Sequence, residues 1–181
     1  MNYQRSVCAS VGLILLSVAI LSDASIASAQ GGKKWRPNMY DRWGQNRAQR
    51  SMRHARDYSR DLHYYSRDVE KVQPNVAKAE SDSIGKNIRA AQQELAGVRK
   101  QAGDDKDVLA SLEAIETHLA NAAKVHQTLH KECLKDSVDA GVSMGCCNEI
   151  TKELEKAMAE HAALLRKLAP TAQNDASSKD K

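Results

Sequence analysis

Two histidines and a cysteine recur at helical spacing in one segment of the chain. His126, His130 and Cys133 are separated by four and three residues, so at about 100° per residue they fall within about 60° of one helical face. Imidazole and thiolate are ligands that zinc prefers, and they also suit copper. Cys146 and Cys147 follow after a segment rich in small residues. The spacing therefore predicts a zinc or copper site as one candidate function, with Cys146 or Cys147 completing the ligand set.

The first 29 residues have the features of a cleavable signal peptide. Arg5 supplies a positive charge, residues 11–21 are uncharged and mostly apolar, and residues 27–29 are the small residues that signal peptidase accepts. The apolar run is short for a bilayer span, which disfavours the alternative of a retained membrane anchor. We therefore expect an exported protein, periplasmic or secreted, whose mature chain begins at Gln30.

Export changes the interpretation of the cysteines, because disulfides persist in oxidising compartments. The mature chain holds Cys133, Cys146 and Cys147, so a single bridge leaves one thiol over. A bridge from Cys133 to either of the others closes a loop of about 14 residues and stabilises the fold by about 3 kcal/mol in the chain-entropy model. A disulfide and a metal site are thus alternative uses of the same side chains, and we expect the disulfide.

The elements that position these residues are predicted to be helices. Aromatic residues make up 4% of the chain and Phe is absent, and strong helix formers dominate, which favours helices over strands. Apolar residues alternate at spacings of three and four in four segments. The predicted helices cover residues 45–72 and 75–102, a segment from Asp104 through Cys133, and a segment between a loop at residues 136–145 and Pro170.

Four helices of similar length with short connections predict an all-α fold, an antiparallel up-down-up-down four-helix bundle. The predicted organisation is a signal peptide at residues 1–29, a basic aromatic arm without regular structure at 30–44, the bundle at 45–169 and a disordered tail at 170–181. A coiled-coil hairpin that forms a homodimer is the alternative architecture.

Each helix is expected to turn one row of residues toward the core. The predicted row of the second helix is Ile84, Ile88, Ala91, Leu95, Val98 and Ala102. That of the third helix is Val108, Leu112, Ile115, Leu119, Ala122, His126, Leu129 and Cys133. That of the fourth helix is Cys147, Ile150, Leu154, Ala157, His161, Leu164 and Leu168. A buried imidazole needs a hydrogen-bond partner, and Tyr58 or Tyr65 of the first helix is expected to supply it. The predicted row of the first helix is Ser51, Ala55, Tyr58, Leu62, Tyr65, Val69 and Val72.

Several cofactor and enzyme classes find no support in the residue pattern. Covalent haem attachment is excluded because the chain has no Cys-x-x-Cys-His, although His161 and Met52 are conceivable axial ligands for a non-covalent haem. A ferritin-like di-iron site is excluded because no Glu-x-x-His occurs. No catalytic triad, phosphate loop or paired-carboxylate motif stands out, so we expect a protein that is not an enzyme.

Charge and aromatic residues are unevenly distributed along the chain. Between Lys33 and Asp68 there are ten Lys and Arg against four Asp, whereas from Val69 to Lys181 there are 16 basic and 18 acidic residues. All the mature aromatic residues also lie in the first part. Arginine mixed with tryptophan suits an anionic partner, which for an exported protein means anionic lipid, envelope polysaccharide or an acidic protein, and not nucleic acid. The predicted binding residues are Lys33, Lys34, Trp35, Arg36, Arg42, Trp43, Arg47, Arg50 and Arg53.

Overall fold

The computed structural model of the protein describes residues 39–168, which form four helices in sequence. They are α1 (Met39–Asp68), α2 (Pro74–Ala102), α3 (Lys106–Cys133) and α4 (Ala140–Leu168). Within these residues each helix packs against two others, in the ring order α1, α2, α3, α4. Because the connections are short, neighbouring helices are antiparallel. The predicted all-α four-helix bundle is thereby confirmed.

Three predicted segments lie outside the described residues. These are the signal peptide at residues 1–29, the part of the arm before residue 39, and the tail that includes Pro170. Among α1 to α4, no helix combines the length and the apolar character that crossing a membrane requires.

The core rows of α2, α3 and α4 follow the predicted spacing. All the predicted core residues of α2 are buried, and those of α3 and α4 are buried except His126 and Leu168, which are half-buried. Leu112, Ile115 and Leu119 of α3 are completely inaccessible to solvent. Burying such side chains stabilises the fold by about 1.5–3 kcal/mol each, which makes these rows the main source of stability.

The core row of α1 differs from its prediction by one position at several turns. Its buried residues are Gly44, Gln45, Ala48, Met52, Ala55, Ser59, Leu62 and Ser66. Tyr58, which was predicted to be in the core, is 36% exposed. A small-residue row lets α1 lie close to its neighbours, and it leaves the bulky tyrosine ring at the surface where its hydroxyl meets water.

The helix boundaries correct the sequence prediction at four places. α1 ends at Asp68, four residues before the predicted end at Val72. α1 begins at Met39 and not at Gln45, so the second part of the predicted irregular arm is helical. The N-cap of α3 is Asp105, one residue after the predicted start, and its side chain accepts a hydrogen bond from Val108 N. α4 begins at Ala140, inside the predicted loop, because Asp139 Oδ1 accepts a hydrogen bond from Val142 N at 3.0 Å.

Gly44 and Gly103 show why glycine position alone does not define a boundary. A Cβ at Gly44 would lie 3.5 Å from Val98 Cγ2, so this glycine sits inside α1 at a close contact with α2. Gly103, the residue that follows α2, has a φ of +57° and a ψ of −126°, a positive-φ conformation that glycine adopts readily and other residues rarely do.

Two side-chain contacts define the register of α1 against α4. Ser59 Oγ donates to the carbonyl oxygen of Cys147 at 2.9 Å. One turn further along α1, His63 Nδ1 lies 3.4 Å from the carbonyl oxygen of Met144. Because α1 and α4 are antiparallel, a residue that precedes Ser59 by a given number of positions lies level with the residue that follows Cys147 by the same number.

Candidate functional site

The described part of the predicted binding surface lies on the first four turns of α1. Arg42, Trp43, Arg47, Arg50 and Arg53 are all exposed, and Trp43 is the most exposed large apolar side chain at 64%. At about 100° per residue these five positions span about 140° of the helix circumference. We call them the α1 basic face.

The α1 basic face is centred opposite the side of α1 that is buried. On the same helical wheel, Ala48, Met52 and Ala55 cluster about 180° from the middle of the five exposed positions. The core therefore holds α1 in an orientation that presents the whole face outward. Lys33, Lys34, Trp35 and Arg36 lie outside the described residues.

Charge pairing leaves most of this face unneutralised. Arg47 Nη2 lies 2.8 Å from Glu94 Oε2 of α2, so its charge is partly compensated. Arg50 and Arg53 have no carboxylate within 4 Å among residues 39–168. From Arg56 onward, each arginine of α1 is followed directly by an aspartate. The guanidinium of Arg56 lies 2.7 Å from Asp57 Oδ1, so the α1 basic face ends before this residue.

The predicted metal ligands of α3 converge on Ser81 of α2. His126 Nε2 donates to the carbonyl oxygen of Ser81 at 2.8 Å, so the proton is on Nε2 and the lone pair on Nδ1. Ser81 Oγ lies 3.5 Å from His130 Nδ1, and the Ser81 side chain partly offsets the rise in the pKa of the Cys133 thiol. The partner of His126 is thus a serine of α2, and the expected tyrosine partner is wrong. Burial lowers the pKa of His126.

The imidazole of His126 rests on a glycine. A Cβ at Gly85 would lie 2.4 Å from His126 Cε1, which is closer than any Cβ approaches another heavy atom. The His126 and His130 rings are stacked with centroids 5.8 Å apart. The spacing prediction of a shared helical face is therefore correct. Nevertheless, among the described residues no group of three or more His, Cys, Asp or Glu is arranged to hold a metal ion.

The three described cysteines are all thiols. Cys133 and Cys147 are buried and Cys146 is half-buried, and the negative charges of ionised Cys133 and Cys146 help to raise the pKa of Cys147. Burial is the main cause of the raised values, about 11 for the pKa of Cys133 and about 12 for that of Cys147. Thiolate is the reactive form, so at neutral pH the buried thiols are poor nucleophiles. The predicted disulfide stays a prediction.

One carboxylate of α4 is buried against α3. Glu153 of α4 is 9% exposed and accepts hydrogen bonds from Lys156 at 2.6 Å, His118 Nδ1 at 2.8 Å and Asn121 at 3.3 Å. Lys156 and then His118 lower the pKa of Glu153 to about 2. The network joins α3 to α4 with a permanently ionised carboxylate, and its role is structural.

His161 occupies a core position, where its side chain is completely buried. Neither ring nitrogen has a hydrogen-bond partner within the part of the chain whose side chains the structure describes, residues 42–168. The expected tyrosine does not supply the bond, because Tyr58 is at the surface and the Tyr65 hydroxyl accepts from Gln73 N at 3.1 Å. Gln45, which the sequence did not single out, is likewise buried with both amide atoms unpaired.

Comparison of the chain with protein-family models, with curated proteins and with solved structures finds no match. Its function is therefore argued from its own surface and core. The α1 basic face is the exposed feature whose chemistry points most directly to a partner.

Proposed function

We propose that this protein is an exported, non-enzymatic binding protein whose α1 basic face contacts an anionic surface, an anionic lipid bilayer first of all. The observation that carries the proposal is the combination of a 64% exposed tryptophan, Trp43, with four exposed arginines on the side of α1 opposite the core. Tryptophan favours the head-group level of a membrane, and arginine binds phosphate with several donors at once.

The expected affinity follows from the number of cations. Each basic residue near an anionic membrane contributes about 1 kcal/mol. Four arginines therefore give about 4 kcal/mol, which corresponds to a dissociation constant of about 1 mM. Trp43 adds apolar contact, and Lys33, Lys34 and Arg36 add further charge. The result is a reversible attachment that weakens with salt.

Export is part of the proposal and has its own test. The uncharged run at residues 11–21 and the small residues at 27–29 support cleavage before Gln30. N-terminal sequencing of the protein recovered from the cell envelope or the medium should begin at Gln30. A chain that keeps Met1 and remains in the cytosol would contradict export.

The binding test uses the chain from Gln30 onward and co-sedimentation with vesicles. We expect binding to mixed phosphatidylcholine and phosphatidylglycerol, and little binding to phosphatidylcholine alone. Reversing Arg50 and Arg53 to Glu should abolish the binding. The matched control reverses Lys86 and Lys124, which are exposed on α2 and α3, because it changes the net charge equally but leaves α1 intact.

Each result of this test has a defined meaning. Loss of binding in both double variants to the same degree would show that net charge alone is responsible and would contradict the α1 basic face. Binding of an acidic polysaccharide by the native chain, with no binding of vesicles, would replace the lipid partner with an envelope polymer.

The cysteines support a second proposal, a disulfide from Cys133 to Cys146 or Cys147. Their mutual proximity at the end of the bundle where α3 meets α4 favours it, as does the oxidising compartment that export implies. Peptide mapping without reductant should find the bridge. If all three thiols alkylate and the purified protein contains zinc or copper, a metal site that uses His126 and His130 replaces the disulfide.

A further inference from the structure

Two polar side chains in the core of the bundle have lost water without gaining a partner. Gln45 is 1% exposed and His161 is 0% exposed. Among the side chains of residues 42–168, the amide nitrogen and oxygen of Gln45 and both ring nitrogens of His161 find no hydrogen-bond partner. A buried polar group without a partner destabilises the fold, so two of them at one place call for a physical explanation.

The register of the bundle places these two residues at the same level on facing helices. Gln45 precedes Ser59 by fourteen residues in α1, and His161 follows Cys147 by fourteen residues in α4. Ser59 and Cys147 are in direct hydrogen-bond contact at 2.9 Å. An interval of fourteen residues, or two heptads, returns each helix to nearly the same face. Gln45 and His161 therefore lie level with each other on the facing sides of α1 and α4, toward the other end of the bundle.

The charged groups around this end lie on the outside of the bundle. Arg47 of α1 pairs with Glu94 of α2, and Arg99 of α2 pairs with Glu116 of α3. On α4, Lys167 donates to Ser111 Oγ of α3 at 3.1 Å.

None of these charged groups offsets the effect of burial on His161. Burial is the one cause that lowers the pKa of His161, to about 4. His161 is therefore neutral in the closed bundle, and among residues 42–168 no charged group stabilises its protonated form.

We infer that Gln45 and His161 form an acid-sensitive latch between α1 and α4, and that protonation of His161 opens the end of the bundle where α1 begins and α4 ends. While His161 is neutral, the closed bundle buries two polar side chains but no net charge. The imidazolium has two N–H donors, whereas the facing amide of Gln45 offers one oxygen acceptor. Water must then enter, and separation of the two helix ends admits it. This inference does not depend on what the α1 basic face binds.

The size of the effect follows from the difference between the open and closed states. In the open state His161 has the ordinary histidine pKa of about 6.5, and in the closed state burial lowers the pKa to about 4. Proton binding therefore favours the open state increasingly as the pH falls below 6.5. Between pH 7 and pH 5 the opening equilibrium should rise about 20-fold.

Hydrogen exchange of the full chain at pH 7 and pH 5, corrected for the intrinsic rate at each pH, tests the latch. Peptides covering residues 42–52 of α1 and 157–168 of α4 should show the rise of about 20-fold in opening. His161→Leu should remove it, since the leucine fills the site and does not titrate. His54→Leu is the matched control, because His54 is exposed on α1, and this variant should keep the rise.

His126 also has a lowered pKa, but it packs on α2 toward the other end of the bundle, and the comparison of native chain with His161→Leu cancels its contribution. The same rise in opening of residues 42–52 in His161→Leu as in the native chain would overturn the inference. Equal exchange of the native chain at the two pH values in both peptides would overturn it as well.

Discussion

Replacement of Gly85 by alanine tests how closely α3 lies against α2. A Cβ at this position would lie 2.4 Å from Cε1 and 2.8 Å from Nε2 of His126. The imidazole must therefore leave its place, and the hydrogen bond from His126 to the Ser81 carbonyl oxygen, at 2.8 Å, is lost with it. We expect Gly85→Ala to destabilise the protein although alanine is the better helix former.

The magnitude is the balance of three effects. Alanine in a helix interior is favoured over glycine by about 1 kcal/mol. Against this stand the lost hydrogen bond, about 1 kcal/mol, and the lost packing of a half-buried ring in an overfilled space, about 1–3 kcal/mol. Gly85→Ala should therefore lower the free energy of unfolding by about 1–3 kcal/mol.

Urea denaturation at neutral pH measures this, and Gly97→Ala is the matched control. Gly97 also lies within α2, but nothing comes within 4 Å of a Cβ placed there, so this variant should be more stable than the native chain by up to about 1 kcal/mol. In a chain that already carries His126→Ala, adding Gly85→Ala should no longer lower the free energy of unfolding, because the imidazole that clashes with the new methyl group is absent. Equal stability of Gly85→Ala and Gly97→Ala would refute the close approach of His126.

Three other expectations concern the core and the thiols. Leu119→Asp, at a fully buried position, should cost about 4 kcal/mol or more in urea denaturation, because it buries an unpaired charge; an unchanged midpoint would contradict the core row of α3. The native chain should lose up to about 3 kcal/mol of stability as the pH falls from about 6.5 to 4, since burial lowers the pKa of His161 to about 4, and His161→Leu should flatten this dependence. With reductant present, Cys146 should alkylate faster than Cys133 and Cys147, because it is more exposed and burial raises the pKa of Cys147 to about 12; equal rates by mass spectrometry would argue against the burial of the other two.

The core rows of α3 and α4 could be predicted because large apolar residues mark them. Leu112, Leu119 and Ile150 recur at the spacing of one helical face and are fully buried. Such residues have a strong preference for the interior. In α1 the same reasoning selected Tyr58, since the true row holds small residues such as Ala48 and Ser59 between the large Met52 and Leu62. Small residues occur both inside and outside proteins, so their spacing carries little information.

The contacts that define the sites depend on pairs of helices, and the sequence contains no direct signal for them. Nothing in the order of residues shows that Gly85 lies beneath His126, or that Gln45 reaches the level of His161. Glu153 has the same spacing as solvated carboxylates but is 9% exposed. It is buried because it lies against His118 and Asn121 of α3. By contrast, the outward position of the α1 basic face follows from helical periodicity once the core side of α1 is known.

The most direct test of the proposed function is the fluorescence of Trp43. In the chain from Gln30 onward, Trp35→Phe leaves Trp43 as the one tryptophan. Adding vesicles that contain phosphatidylglycerol should shift its emission to the blue as the indole enters the head-group region. The shift should fade as salt is raised from 0.1 M to 1 M, because the Debye length falls from about 10 Å to about 3 Å. An emission maximum that does not move, or one that moves equally with phosphatidylcholine alone or at 1 M salt, would contradict binding of an anionic surface by the α1 basic face.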